Sequence, residues 1–163
     1  MKVLVTGGAG FIGSHIVDQC ILDGNQVVVV DNLSTGKKEN INENACFYHI
    51  DIQDAELEDV FKKEQPHVVI HQAAQIQVHA SVDHPLFDAE VNILGTINLL
   101  ECCRKYDVQK MVYASTAAVY GDPDYLPIDE KHSVQPLSGY GCSKYSAEKY
   151  IEMYSRLYGL KFT

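Results

Sequence analysis

Thr6-Gly7-Gly8-Ala9-Gly10-Phe11-Ile12-Gly13 is the stretch on which the fold turns. It stands between a short apolar run, Lys2-Val3-Leu4-Val5-Thr6, and a segment of helical spacing from Phe11 to Asp23. Read from Gly8 it is GxGxxG, and read from Thr6 it is TGxxGxxG. Both spacings meet the same needs. The chain must leave a strand in a tight turn, its backbone must approach a pyrophosphate, and a helix must pack close to the sheet. The first turn of such a helix offers free N–H groups and the positive end of its dipole to an anion. A glycine-rich turn that holds no ligand is the competing reading.

Outward from the turn, the context favours a dinucleotide. Ile12, Ile16, Cys20 and Ile21 recur at helical spacing, and Gly24 stops that helix. Gln26–Val30 follows as a continuous valine run of the kind buried on both faces of a sheet. It ends in Asp31, which lies 18 residues past Gly13, near the roughly 20 expected for an acid on a ribose 2′-hydroxyl. A carboxylate there repels a 2′-phosphate, so the cofactor expected is NAD and not NADP. Cys46–Ile50, His67–His71 and Lys110–Ala114 read as further strands, and Leu160–Thr163 opens a sixth. Asp54–Glu64, capped by Asp54 and ended before Pro66, reads as a helix, as do Pro85–Tyr106 and Ser138–Tyr158. Strands alternating with helices imply parallel strands joined by right-handed crossovers. The expected fold is therefore α/β, a doubly wound (Rossmann) parallel sheet with helices on both faces. Residues 1–163 are expected to form one NAD-binding domain, the N-terminal part of a longer protein whose substrate-binding region follows.

Composition narrows the partners. The 163 residues are 46% hydrophobic and 21% charged, and the formal net charge is −9. Such an acidic chain repels nucleic acid and anionic membranes. No Lys/Arg run exceeds the pairs Lys37-Lys38 and Lys62-Lys63, and no apolar run approaches the ~20 residues of a membrane helix. Met1 leads directly into the first expected strand, so no signal peptide is expected. The five cysteines show no CxxC spacing, which suits reduced thiols in the cytoplasm. No metal site is expected, because the seven histidines have no carboxylate or thiolate at a ligand spacing.

Two other stretches carry chemistry. In Tyr140-Gly141-Cys142-Ser143-Lys144 a helix places Tyr140 and Lys144 on one face. A free tyrosine has a pKa near 10 and is a poor base at neutral pH. A neighbouring ammonium stabilises the phenolate, so the pair is suited to taking a proton from a hydroxyl as hydride leaves the same carbon. An exposed helix with an incidental Tyr and Lys is the alternative. Ser115-Thr116-Ala117-Ala118 follows the fifth strand, on the carboxyl edge where open α/β sheets bind ligands. A hydroxyl there can bond the substrate oxygen that Tyr140 deprotonates. The competing reading is a polar strand terminus.

Together these pieces resemble the extended short-chain dehydrogenase/reductase superfamily, and within it the NAD-dependent nucleotide-sugar epimerases and dehydratases, nearest to the UDP-glucose 4-epimerase branch. The resemblance covers nearly the whole chain. It implies a cofactor turn of Gly7, Gly10, Phe11, Ile12 and Gly13. It implies an adenosine-ribose stretch of Asp31, Asn32, Ser34, Thr35 and Gly36, and an acidic–apolar pair, Asp51 and Ile52, against the adenine. His71-Gln72-Ala73-Ala74-Gln75 resembles the HxAA(Q) segment lying along the cofactor, with Gln72, Ala73, Ala74 and Gln75 as its implied contacts, and Asn92 with Gly95-Thr96-Ile97-Asn98 resembles NxxGTxN. Ala114, Tyr140 and Lys144 complete the implied cofactor contacts. Thr116, Tyr140 and Lys144 match the catalytic set, with Ser81, Thr116 and Tyr140 against the substrate. One departure is Gly139, where the family often has proline before the tyrosine; glycine does not fix φ and loosens the start of the helix.

The reaction implied is epimerisation at C4 of a UDP-sugar through a transient 4-keto intermediate. Dehydratases usually carry an acid just after the catalytic threonine, and here Ala117 and Ala118 follow. Another NAD-dependent dehydratase or reductase of this fold, or a non-catalytic NAD-binding protein, stays open beside it. A homodimer is expected through the two long helices, with Ile93, Ile97, Leu100, Ile151, Met153 and Tyr154 as candidate contacts; packing against the sheet competes for the same side chains.

Overall fold

A computed structural model describes residues 1–163. Six strands form one sheet in the order β3-β2-β1-β4-β5-β6, and every pairing is parallel. They are β1 (Lys2–Thr6), β2 (Gln26–Asp31), β3 (Cys46–His49), β4 (Val68–His71), β5 (Lys110–Tyr113) and β6 (Lys161–Phe162). Leu4 of β1 pairs with Val28 on one side and Val69 on the other. The chain winds outward in opposite directions from β1 and β4, so a crevice opens beyond their carboxyl ends. This is the doubly wound sheet expected from the alternating pattern.

Period-two alternation sorts the apolar residues onto two faces. Leu4, Val28, Val30, Val69 and Met111 join Leu57, Phe61, Leu99, Leu100, Ile151 and Tyr154 in the larger core. That core is covered by α2 (Leu57–Glu64), α5 (Gly95–Lys105) and α6 (Gly139–Tyr158). Val3, Val5, Val27 and Val29 face the other way, onto Val17 of α1 (Phe11–Leu22). On that face Ile16, Cys20 and Ile21 are partly buried as expected. Ile12 is 62% exposed and does not join them, because the buried face of the first turn is formed by Gly13 and Ser14 and Ile12 lies off it.

Local chemistry sets the helix ends. The Ser138 side chain accepts from Gly141 N–H at 3.1 Å and starts α6, and Gly159, at φ 75°, ends it. Acidic Glu58 and Asp59 open α2, and basic Lys62 and Lys63 close it, in accord with the helix dipole. The start of α2 corrects the sequence expectation. Asp54 caps no helix; its carboxylate accepts from Asp51 N–H at 3.0 Å, and a turn fills the residues before Leu57. A short helix, α3 (Val78–Asp83), lies in a stretch without clear periodicity. The long helix expected from Pro85 is α4 (Pro85–Ala89), a π-helical stretch (Glu90–Leu94) and α5 in succession. A π stretch widens a helix locally and is frequent at functional sites; here it carries Asn92. No helix is long and apolar enough to cross a membrane.

Candidate active site

The glycine turn is built around close backbone approaches. Gly7 has φ 70°, and a Cβ there would lie 2.7 Å from Ala73 N. A Cβ on Gly13 would lie 2.1 Å from the carbonyl oxygen of Gly7. Only hydrogen fits at either place. The first α1 hydrogen bond runs from Ser14 N–H to Gly10 C=O at 3.0 Å. The amides of Phe11, Ile12 and Gly13 therefore have no acceptor within the helix, and the first turn has neither a side-chain cap nor an acid. This is an anion cradle by its donor set.

Asp31 holds the turn from the end of β2. It is 7% exposed. Its Oδ2 accepts from Ala9 N–H at 2.9 Å and its Oδ1 from Leu33 N–H at 2.8 Å. Each oxygen keeps a lone pair for a further donor. Gly36 packs beside it, where a Cβ would lie 2.9 Å from Oδ1. Asn32 donates to Asp51 Oδ2 at 2.6 Å and accepts from Ser34 N–H at 2.9 Å. Asn32, Ser34 and Thr35 are exposed around this edge. Ile52 is buried, its side chain turned toward Gly95, so the backbone is the part of Ile52 that can meet a ligand.

A buried polar chain runs from this turn to α6. Ala73 N–H donates to Thr6 Oγ1 at 3.2 Å, and Thr6 Oγ1 meets His71 Nδ1 at 2.7 Å. His71 Nε2 meets Thr96 Oγ1 at 3.0 Å, and Thr96 donates to the Asn92 carbonyl at 2.7 Å. Because the Thr96 proton is spent on Asn92, Nε2 carries the imidazole hydrogen and Nδ1 accepts from Thr6. Burial, with Lys144 as second cause, holds the His71 pKa down to about 3, so the ring is neutral. The Asn92 amide then exchanges bonds with the Gln75 backbone at 2.9 and 3.0 Å. It also donates toward Asp88 and toward Ser143, whose hydroxyl bonds Tyr140 C=O at 3.1 Å.

The reactive candidates stand at the other end of that chain. Lys144 is 3% exposed, pairs with no carboxylate, and places Nζ 4.2 Å from the centre of the Tyr113 ring. Burial pushes its pKa down to about 8, against the partial support of Glu148 and Asp88. The stem is buried while the ammonium tip is not sealed from solvent, and donors that no protein group takes are open to the acceptors of a ligand. Tyr140 lies one turn before it on α6, half-buried. Thr116 starts a 3-10 turn, Ala117–Val119, where its Oγ1 accepts from Ala118 N–H at 3.2 Å. A cavity of about 540 Å³ adjoins Thr116 and is lined also by Ser115, His132, Tyr145 and Glu148.

The placement of the remaining candidates is mixed. Gln72, Ala73, Ala74 and Ala114 are half-buried at the ends of β4 and β5, beside the crevice. The Gln75 side chain is buried and engaged by Gln77 and Asp88. Ser81 is buried in α3 and donates to Val78 C=O at 2.6 Å. Gly139 has a use of its own: a Cβ there would lie 2.7 Å from the Ser81 carbonyl, so glycine lets α6 start against α3. Asp88, Tyr113 and Glu148 carry no signal that the sequence motifs single out as site-shaping, and His71 and Ser143 are visible there only as members of the motifs they stand in. Glu148 could have been found, since it continues the spacing of Tyr140 and Lys144 by one more turn.

The profile of the NAD dependent epimerase/dehydratase family matches residues 3–163. The UDP-glucose 4-epimerase of Mycolicibacterium smegmatis is 45% identical over 166 residues, covering 98% of this chain and 53% of that protein. The Thermotoga maritima UDP-glucose 4-epimerase, solved with UDP-glucose, superposes with a TM-score of 0.97 at 49% identity, over 99% of this chain and 53% of that one. The Thermus thermophilus UDP-glucose 4-epimerase, solved with NAD, gives 0.96 at 48% identity, over 99% and 53%. The chain thus spans about half the length of the relatives it matches.

Proposed function

The chain belongs to the NAD dependent epimerase/dehydratase family, and from that premise we propose that it is the NAD-binding domain, residues 1–163, of an NAD-dependent UDP-sugar 4-epimerase that interconverts sugars of the UDP-glucose and UDP-galactose type. The observation that carries the reading is the buried, unpaired Lys144 one helical turn beyond Tyr140, joined by the polar chain through Asn92 and His71 to the glycine turn. The names of the relatives support the substrate class.

The residues fit the cofactor. The free amides of Phe11, Ile12 and Gly13 suit its pyrophosphate, and the spare lone pairs of Asp31 suit two ribose hydroxyls. Asp51 and the Ile52 backbone suit the adenine edge. Lys144 suits the second ribose, whose hydroxyls supply the acceptors its ammonium lacks. When bound, NAD supplies a hydride acceptor that can return the hydride to either face of the same carbon.

Each reactive side chain has one task. Tyr140 takes the proton of the C4 hydroxyl, and later gives it back. Lys144 stabilises the phenolate by its charge. Thr116 bonds the C4 oxygen and holds it between hydroxyl and ketone. Ala117 and Ala118 provide no acid for elimination of a neighbouring hydroxyl, which favours epimerisation over dehydration. Free Cys20, Cys46, Cys102, Cys103 and Cys142 suit a reducing, cytoplasmic setting.

A homodimer through the two long helices belongs to the same reading, with altered contacts. Leu100, Ile151 and Tyr154 are buried in this chain's own core and are not available. Leu86, Phe87, Leu94, Met153 and Leu157 are exposed on those helices and offer the apolar surface instead.

The test is isotopic. UDP-galactose deuterated at C4 is incubated with NAD and the protein as it is made in the cell. Retention of deuterium at C4 of UDP-glucose, with no net reduction of NAD, is expected. Loss of the label to water, or steady accumulation of reduced NAD, would overturn the reading.

A further inference from the structure

Glu148 stands two turns beyond Tyr140 and one beyond Lys144, so all three share a face of α6. The Ser115 hydroxyl donates to Glu148 Oε1. Ser115 adjoins Thr116, and this is the one side-chain-to-side-chain hydrogen bond between residues 115–119 and α6. The reactive hydroxyl lies on one element and the reactive phenol and ammonium on another. Glu148 is the bridge between them, at the wall of the cavity that Thr116 also lines.

We propose that Glu148 is a positioning residue that fastens the Thr116 segment to α6 and supplies the carboxylate that keeps the Lys144 ammonium charged. The inference rests on Tyr140, Lys144 and Thr116 being the reactive set. Lys144 is faced by neutral His71 and by Tyr113 from β4 and β5, by Asp88 from α4, and by Tyr140 and Glu148 from its own helix. Asp88 already accepts from Gln75 and Asn92, which spreads its charge. Glu148 accepts from one neutral hydroxyl only, and is the larger of the two carboxylate effects on Lys144. A lysine that buries without such support loses its proton near neutrality, and a neutral amine cannot stabilise a phenolate.

The experiment separates the two tasks with Glu148→Gln and Glu148→Ala. Lysine carbons next to nitrogen are labelled with ¹³C and titrated by NMR, with Lys144→Arg assigning the signal. The Thr116 methyl is followed in the same samples. Wild-type Lys144, its pKa pushed down to about 8 by burial, is expected to titrate in that range. In Glu148→Gln its midpoint falls, because the larger of its two supporting charges is lost, and the Thr116 methyl stays in place, because the amide oxygen still accepts from Ser115. In Glu148→Ala both move. An unchanged Lys144 midpoint in Glu148→Gln, or an unmoved Thr116 methyl in Glu148→Ala, overturns the proposal. Neither signal needs cofactor or substrate. A failure of the epimerase reading, seen as no NAD-dependent turnover, is thus distinguishable from a failure of Glu148.

Discussion

The Lys144 ammonium lies over the face of the Tyr113 ring, 4.2 Å from its centre, with the Tyr113 hydroxyl donating to the Lys144 carbonyl at 3.4 Å. The ring replaces some of the hydration that burial removes, and no anion completes the pairing. Desolvation outweighs the support of Glu148 and Asp88, so folding disfavours the charged form of Lys144. Burial brings the Lys144 pKa to about 8, against about 10.4 in an unfolded chain. Below 8 both states carry the proton and the penalty is full. Between 8 and the unfolded value the unfolded chain binds more protons, so this group makes stability rise with pH. Lys144→Met is expected to be more stable than wild type at pH 7 by up to about 3 kcal/mol, and the gap should close by pH 10. Urea unfolding at both pH values checks this.

Gly13→Ala places a methyl 2.1 Å from the Gly7 oxygen and 2.8 Å from its carbon. Backbone cannot yield as a side-chain tip can. A loss of about 3 kcal/mol or more is expected, with loss of anion binding at the turn. Gly24→Ala is the contrast: φ is 77° but the space is open, so about 1 kcal/mol is expected. Denaturant midpoints of the two variants measure the difference.

His71 gives the opposite end of the pH range. Its folded pKa is held at about 3, well below the ordinary 6.5. Above 6.5 the ring is neutral in both states. As pH falls from 6.5 toward 3 the unfolded chain takes up the proton first, and stability declines. His71→Asn is expected to flatten that decline while losing about 2 kcal/mol or more at pH 7, because Thr6 and Thr96 lose partners. Urea midpoints from pH 7 to pH 4.5 test both effects.

Tyr140→Phe removes the hydroxyl that the proposed reaction uses to carry the C4 proton. A fall in turnover of about 100-fold or more is expected, with NAD affinity changed little. Initial rates with UDP-galactose, beside a cofactor titration of the same variant, would reveal the split.

The glycine turn, the place of Asp31 at the end of β2 and the doubly wound parallel sheet were legible because each rests on local signals: spacing of glycines, a valine run, and alternation of periods. Asp54 misled, since an acid before an apolar run resembles a cap, and its carboxylate instead closes a turn onto Asp51. Ile12 fitted the helical spacing, yet the buried stripe of α1 runs through Gly13, Ser14 and Val17, and small residues at its start give no apolar signal. Leu100, Ile151 and Tyr154 read equally well as core or interface, and only packing distinguishes them. The polar chain through Thr6, His71, Thr96, Asn92 and Ser143 joins residues far apart in sequence. It exists only once β1, β4, the π stretch and α6 are assembled. Gly139 read as a loosening of the helix start, and its contact with Ser81 makes it a packing requirement.

Titration calorimetry of this chain with NAD and with NADP tests the central claim most directly, since the glycine turn, Asp31 and Lys144 all lie within it. One NAD per chain is expected, with NADP weaker by about tenfold or more for want of room and because of the repelling charge of Asp31, and no binding in Gly13→Ala. Asp31→Asn should narrow the preference for NAD. Equal affinity for NAD and NADP in the wild type, or NAD binding that survives Gly13→Ala unchanged, would contradict it.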